Sequence, residues 1–115
     1  MIVSDLMKLA SARSLTEAPM DKEITCGYAC DLLSWVMARG KEGMAWITVQ
    51  AHMNVIAVAA LLDFACVIIP ESLPVEAPIV KKAQDEDIII LSSEKTAYEL
   101  VVLLAQNGVA PAKKG

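Results

Sequence analysis

Between Trp46 and Leu62 the chain changes its hydrophobic pattern within a few residues. Trp46-Ile-Thr-Val49 is rich in side chains that favour extended backbone. Gln50-Ala-His-Met-Asn54 is a polar junction, and Val55-Ile-Ala-Val-Ala-Ala-Leu-Leu62 is a continuous apolar run. A strand that passes directly into a helix is the repeating unit of an α/β fold.

The same alternation recurs along the chain. Val3 to Ala10 has helical spacing, with Ser4 and Asp5 suited to a first turn. Short strands are expected around Arg13–Leu15 and Glu23–Thr25. Gly27 reads as a break, Ala29–Arg39 as a helix, and Gly40 as its left-handed stop. Gly43 marks a turn before a strand over Met44–Val49. A helix is expected over Ala51–Ala65, then a buried strand over Cys66–Ile69. Pro74 or Pro78 can occupy the first turn of a helix running to about Asp85. Ile88–Leu91 is the clearest strand. Ser92 or Ser93 can cap the last helix, with Glu94 near its positive end. That helix carries Ala97, Leu100, Val101 and Leu104 on one face and ends at Asn107-Gly108. Alternation of this kind implies βαβ units with right-handed crossovers and a mainly parallel sheet. Hydrophobic residues make up 56% of the chain but aromatics only 4%, which suits a sheet covered on both faces. The expected domain is residues 1–108, with 109–115 a flexible tail.

Several function classes are excluded or weakened. A net charge of −4 offers no basic footprint for nucleic acid. The longest apolar run is far short of the roughly 20 residues a membrane span needs. With no secretory signal at the amino terminus, Cys26, Cys30 and Cys66 read as reduced cytoplasmic thiols. Cys26 and Cys30 form a C-x-x-x-C pair without a second pair. Burial as small apolar side chains is the plainer account of them than zinc. None of the five glycines falls in a phosphate-binding loop. No cofactor is expected.

The junction holds the candidate site. His52 is the lone histidine, so a catalytic triad or a histidine-pair metal site has little to build on. Gln50, His52 and Asn54 would nevertheless sit at the carboxyl edge of a central strand, where open α/β sheets bind ligands. The following helix amino terminus would offer free N–H groups to a small anion. Asp31 reads either as a dipole-stabilising residue opening the second helix or as a partner for a ligand hydroxyl. Glu71, Glu76, Asp85, Glu86 and Asp87 read as solvated. The Ala51–Ala65 helix is apolar nearly all round and therefore needs cover on its outer side. A homodimer supplies that cover, unless its alanines are simply tolerated at the surface.

The blocks Gly27-Tyr-Ala-Cys-Asp-Leu-Leu-Ser-Trp-Val-Met37, Trp46–Gln50, His52-Met-Asn54 and the later Ile88–Leu91 with Ser92-Ser93 resemble the DRTGG-domain family. The likeness is greatest to its stand-alone members related to the amino-terminal domain of HPr kinase, and covers roughly residues 1–108. It implies a three-layer α/β/α domain that often dimerises. In that family the domain is attached to phosphotransacetylases, CBS-containing pyrophosphatases and other enzymes, in a regulatory or associative role. HPr kinase's phosphate-binding loop lies in a different domain, so no kinase activity is implied. The name motif itself is lost: its Asp-Arg pair would fall near Ala51-His52 and its Thr-Gly-Gly run near Pro70-Glu71-Ser72. Gln50, His52, Asn54 and Ser72 stand at those edge positions, with no catalytic residue and no metal ligand assigned. The expected function is a non-catalytic regulatory or adaptor domain that senses a small anionic metabolite or nucleotide. The alternative is an interaction subunit docking on a partner enzyme through its apolar helix. An enzyme using His52 as acid–base is a third reading.

Overall fold

A computed structural model describes residues 1–113. Helix α1 (Val3–Leu9) and strand β1 (Arg13–Ser14) come first. The alternating body follows: β2 (Cys26–Ala29), α2 (Leu33–Arg39), β3 (Met44–Ile47), α3 (Met53–Leu61), β4 (Cys66–Ile69), α4 (Ala77–Asp85), β5 (Ile90–Ser92) and α5 (Ala97–Gln106). The five strands lie in the order β1-β5-β4-β3-β2. All neighbours pair in parallel except β1, which runs antiparallel to β5 with Arg13 opposite Ser92.

This order explains the layers. Each strand from β2 to β4 is followed by a helix and then by its own spatial neighbour. Right-handed crossovers therefore place α2, α3 and α4 on one face. Successive strand residues point to opposite faces. Met44, Trp46, Val67, Ile69 and Ile90 accordingly pack with Val36, Val55, Val58 and Ile79. Ala45, Ile47, Cys66, Ile68 and Leu91 pack on the other face with Val3, Leu6, Leu100 and Leu104 of α1 and α5. The result is the expected three-layer α/β domain with a mainly parallel sheet.

Several local expectations change. Gly27 is not a break and the second helix does not begin at Ala29. Instead Cys26–Ala29 pair in register with Met44–Ile47, and α2 begins at Leu33. Gly40 is not left-handed: its φ is −63°. A side chain there would instead lie 2.6 Å from Phe64 Cζ, so the constraint is close packing. Thr96, not Ser92 or Ser93, caps α5. Its hydroxyl accepts from Glu99 N while Glu99 accepts from Thr96 N, a reciprocal capping box. Ser93 is buried and donates to the Ala10 carbonyl. Pro78 occupies the first turn of α4, and Asn107-Gly108 ends α5 with Gly108 at φ +85°.

Residues 110–112 run along the outer edge of β2. Gly27 N donates to the Ala110 carbonyl at 2.9 Å, and Ala112 N donates to the Gly27 carbonyl at 3.0 Å. Between them Pro111, which has no N–H, lies opposite Gly27. A proline on the outermost segment denies a donor to any further strand.

The thiols of Cys26, Cys30 and Cys66 are free, and Cys26 and Cys66 are buried. No helix among the described residues is long and apolar enough to cross a membrane.

Candidate functional site

The carboxyl ends of β2 and β3 lie side by side, and a hydrogen-bonded network joins the segments that leave them. Trp46 anchors the pair from within. Its indole N–H donates to the Cys30 carbonyl at 2.8 Å, while its ring meets Phe64 edge-on at 5.7 Å. Immediately beyond, Asp31 Oδ1 accepts from the Thr48 hydroxyl at 2.8 Å and from Val49 N at 2.9 Å. The Thr48 hydroxyl also accepts from Gln50 N at 3.1 Å.

Asp31 therefore lies outside α2, in the loop before it, and its carboxylate ties two strand ends together. Its role as helix opener is replaced by this bridge. Thr48, which the sequence reading passed over, is the buried centre of the network. The signal for it was available in principle: a hydroxyl inside an otherwise apolar strand needs a partner.

Gln50 extends the network to the surface. Its Nε2 donates to the Asp31 carbonyl at 2.5 Å, which turns Oε1 toward His52 Nε2 at 2.7 Å. An amide oxygen can only accept, so His52 Nε2 carries a proton in this arrangement. That leaves Nδ1 available to accept from, or when protonated to donate to, a ligand.

His52 is also the N-cap residue of α3, in extended conformation, and its side chain makes no capping bond. The first turn of α3 holds no acidic side chain. Val55 N already donates to the His52 carbonyl, so the N–H groups of Met53 and Asn54, without a partner among the described residues, lie at the positive end of the helix dipole next to an exposed imidazole. Asn54 lies on this turn and is exposed. Of the sequence-identified residues, Gln50 and His52 are joined by a hydrogen bond and tied to Asp31, while Asn54 follows on the first turn of α3 with no hydrogen bond to them among the described residues.

Ser72 does not join them through any hydrogen bond among the described residues. It belongs to the loop after β4. There the chain crosses to α4 on one face, whereas the chain after β5 crosses to α5 on the other. Such a divergence is the usual ligand crevice of an open α/β sheet. Here it is closed by backbone: Glu71 N donates to the Lys95 carbonyl and Ser72 N to the Ser93 carbonyl, both at 2.8 Å. Glu71 and Ser72 are left-handed, at φ +58° and +51°. Those are the backbone conformations a glycine pair would adopt most easily.

The acidic residues beyond this junction are solvent-facing. Asp85 and Glu86 pair with Lys81 and Lys82 at helical spacing on α4. Among the described residues no cluster of three or more histidine, cysteine or acidic groups is placed to hold a metal ion.

The chain matches no protein-family model and no curated protein. Its fold does have a match among solved structures: the CBS and DRTGG domains of the regulatory region of Clostridium perfringens pyrophosphatase, complexed with the activator diadenosine tetraphosphate. The superposition gives a TM-score of 0.70 over 97% of this chain and 50% of that chain, at 13% identity. The likeness is one of fold. The chain spans half the length of that regulatory region and shares its kind of α/β architecture.

Proposed function

We infer that this chain is a regulatory domain that binds a small anionic ligand, of nucleotide or phosphorylated-metabolite type, at the ledge formed by Gln50, His52 and Asn54. The observation that carries the reading is fold likeness over 97% of the chain to a regulatory region that was solved with a nucleotide activator. The ledge supports it. Uncapped N–H groups of α3 and an imidazole held by Gln50 suit an anion better than a cation. The reading assigns no catalytic step: the one hydrogen-bond partner of the His52 ring among the described residues is the Gln50 amide, which is neither a nucleophile nor an acid–base group.

A thermal-shift series with diadenosine tetraphosphate, ATP, AMP and orthophosphate tests it. A ligand that binds only the folded state adds about 2.7 kcal/mol at 100 times its dissociation constant. Stabilisation by at least one of these anions, reduced in His52→Ala and Gln50→Ala, is the expected result. No shift with any of the four removes the sensing role.

An associative role rests on a separate observation. The sheet-facing side of α3 is buried through Val55, Ile56, Val58 and Ala59, yet Leu61 is 70% and Met53 44% exposed. Leu32 and Trp35 of the neighbouring α2 segment are also more than half exposed. A two-fold pairing of this layer covers those side chains, and we assign the homodimer to it.

A further inference from the structure

On the face opposite α3 the sheet is incompletely covered at β2. The strand residues that point there are Gly27 and Ala29, beside Ile47 of β3. With almost no side chain on the floor, a cavity of about 350 Å³ remains between the sheet and α5. Val101 and Ala105 form one wall, and Val109 and Pro111 of the terminal segment form the other. A Cβ on Gly27 would meet Leu104 at 3.4 Å and Val109 at 3.6 Å, which are ordinary contacts. Packing alone therefore does not demand the hollow.

The rim of this cavity carries unpaired backbone polar groups. Gly27 N–H and C=O point outward from the sheet and are bonded to Ala110 and Ala112. By the alternation of a parallel strand, the N–H and C=O of Ala29 point the same way. Ala29 is exposed, and neither group has a hydrogen-bond partner among the described residues. A single free donor–acceptor unit beside an apolar hollow matches a compact molecule with an apolar body and one amide-like head. The volume lies at the lower end of the small-ligand range. A peptide added as a strand needs several consecutive free backbone groups. Only one unit is free here, because Gly27 is already paired and the strand ends at Ala29.

We propose that this cavity is a binding site for a small amide-bearing apolar molecule, its ring or chain in the hollow and its head on the Ala29 backbone. The site shares no residue with the Gln50–His52 ledge, so it stands or falls independently of the anion reading.

The test is an amide-resonance titration of the intact chain with benzamide, toluene and acetamide. Benzamide should give saturable shifts at Ala29, Val101 and Ala105, with a dissociation constant of about 1 mM. Toluene should bind about ten-fold more weakly, for loss of the head's hydrogen bonds, and acetamide should leave these resonances unmoved. Ala105→Phe and Val101→Phe, both at exposed wall positions, should fill the hollow and abolish the benzamide shifts while the spectrum stays folded. Absence of saturable shifts with benzamide overturns the proposal. So do shifts that persist unchanged in a folded wall variant, or an extended hexapeptide that shifts Ala29 where benzamide does not.

Discussion

The Thr48 hydroxyl donates to the Asp31 carboxylate across 2.8 Å, joining the ends of two adjacent parallel strands. Thr48 is only 1% exposed, so its hydroxyl depends on this partner within the fold. Asp31→Ala should cost about 1–3 kcal/mol, the range for leaving a buried polar group unsatisfied. Asp31→Asn keeps an acceptor oxygen and should cost less. Urea unfolding of the two variants checks the order, and equal losses would contradict the bridge.

Left-handed backbone at Glu71 and Ser72 is carried by residues with a Cβ. Relief of that strain by Glu71→Gly or Ser72→Gly should exceed the entropy glycine adds to the unfolded chain. Each variant is expected to gain roughly 0.5–1 kcal/mol, seen as a raised melting temperature. A fall in both would mean that the side chains contribute more than the backbone conformation costs.

Gly40→Ala should act in the opposite sense. Its new methyl would press on the Phe64 ring, which is itself held edge-on against Trp46. Neither ring has room to retreat, so a loss of about 1–3 kcal/mol is expected. Near-UV circular dichroism of the Trp46 environment should change with it.

Stability should decline at both ends of the pH scale for identifiable reasons. The Lys22 ammonium, 2.7 Å from Asp63, holds that carboxyl below its usual range. The contribution of Asp63 is present above the ordinary carboxylate pKa of about 4 and fades as pH falls through the folded value. The pair is exposed, so its share is small. Burial pushes the Cys66 thiol up to about 12. The unfolded chain releases this proton at a lower pH, near 8.5. The buried thiol's contribution is therefore complete below that pH and is lost as pH rises toward the folded value. Unfolding free energies between pH 8 and 11 should fall more steeply for the natural chain than for Cys66→Ala. Parallel slopes would exclude Cys66 as a cause.

If α2 and α3 meet a second copy, Leu61→Glu should convert a dimer to a monomer in light scattering at micromolar concentration, with an unchanged far-UV spectrum. A single-chain mass for the natural protein would dismiss the pairing.

Much of the fold was legible where periodicity was strong. Cys66–Ile69 is the strand the sequence delimits, and the carboxyl ends of α4 and α5 lie within a residue or so of the expected Asp85 and Asn107. The failures have local causes. Gly27 resembles a turn residue, but at a sheet edge its lack of a side chain is compatible with a strand whose neighbours supply the pairing. Ser92 and Ser93 look like caps by composition. Thr96 wins because Glu99 stands three residues later and completes the reciprocal bonds. At the ledge, the grouping of Gln50, His52 and Asn54 followed from one strand-to-helix junction. The tie to Asp31 did not, because it depends on which strand lies next to β3. Ser72 was grouped with them only by a shared sheet edge, and its loop is drawn toward β5.

Because β2, β3, β4 and β5 lie side by side in the order they occur in the chain, each can pair as soon as its successor is made. Such nearest-neighbour assembly keeps loop-closure costs low and suits folding during synthesis. The exception is β1. Strand β1 has no place to dock until β5 exists, since Arg13 and Ser14 pair only with Ser92 and Leu91. Strand β1 is therefore among the last elements to find its native position, although it precedes the four parallel strands in the chain, whereas α1 is already tied to the segment before β2 through Val3 N to the Lys22 carbonyl and Ser4 N to the Met20 carbonyl.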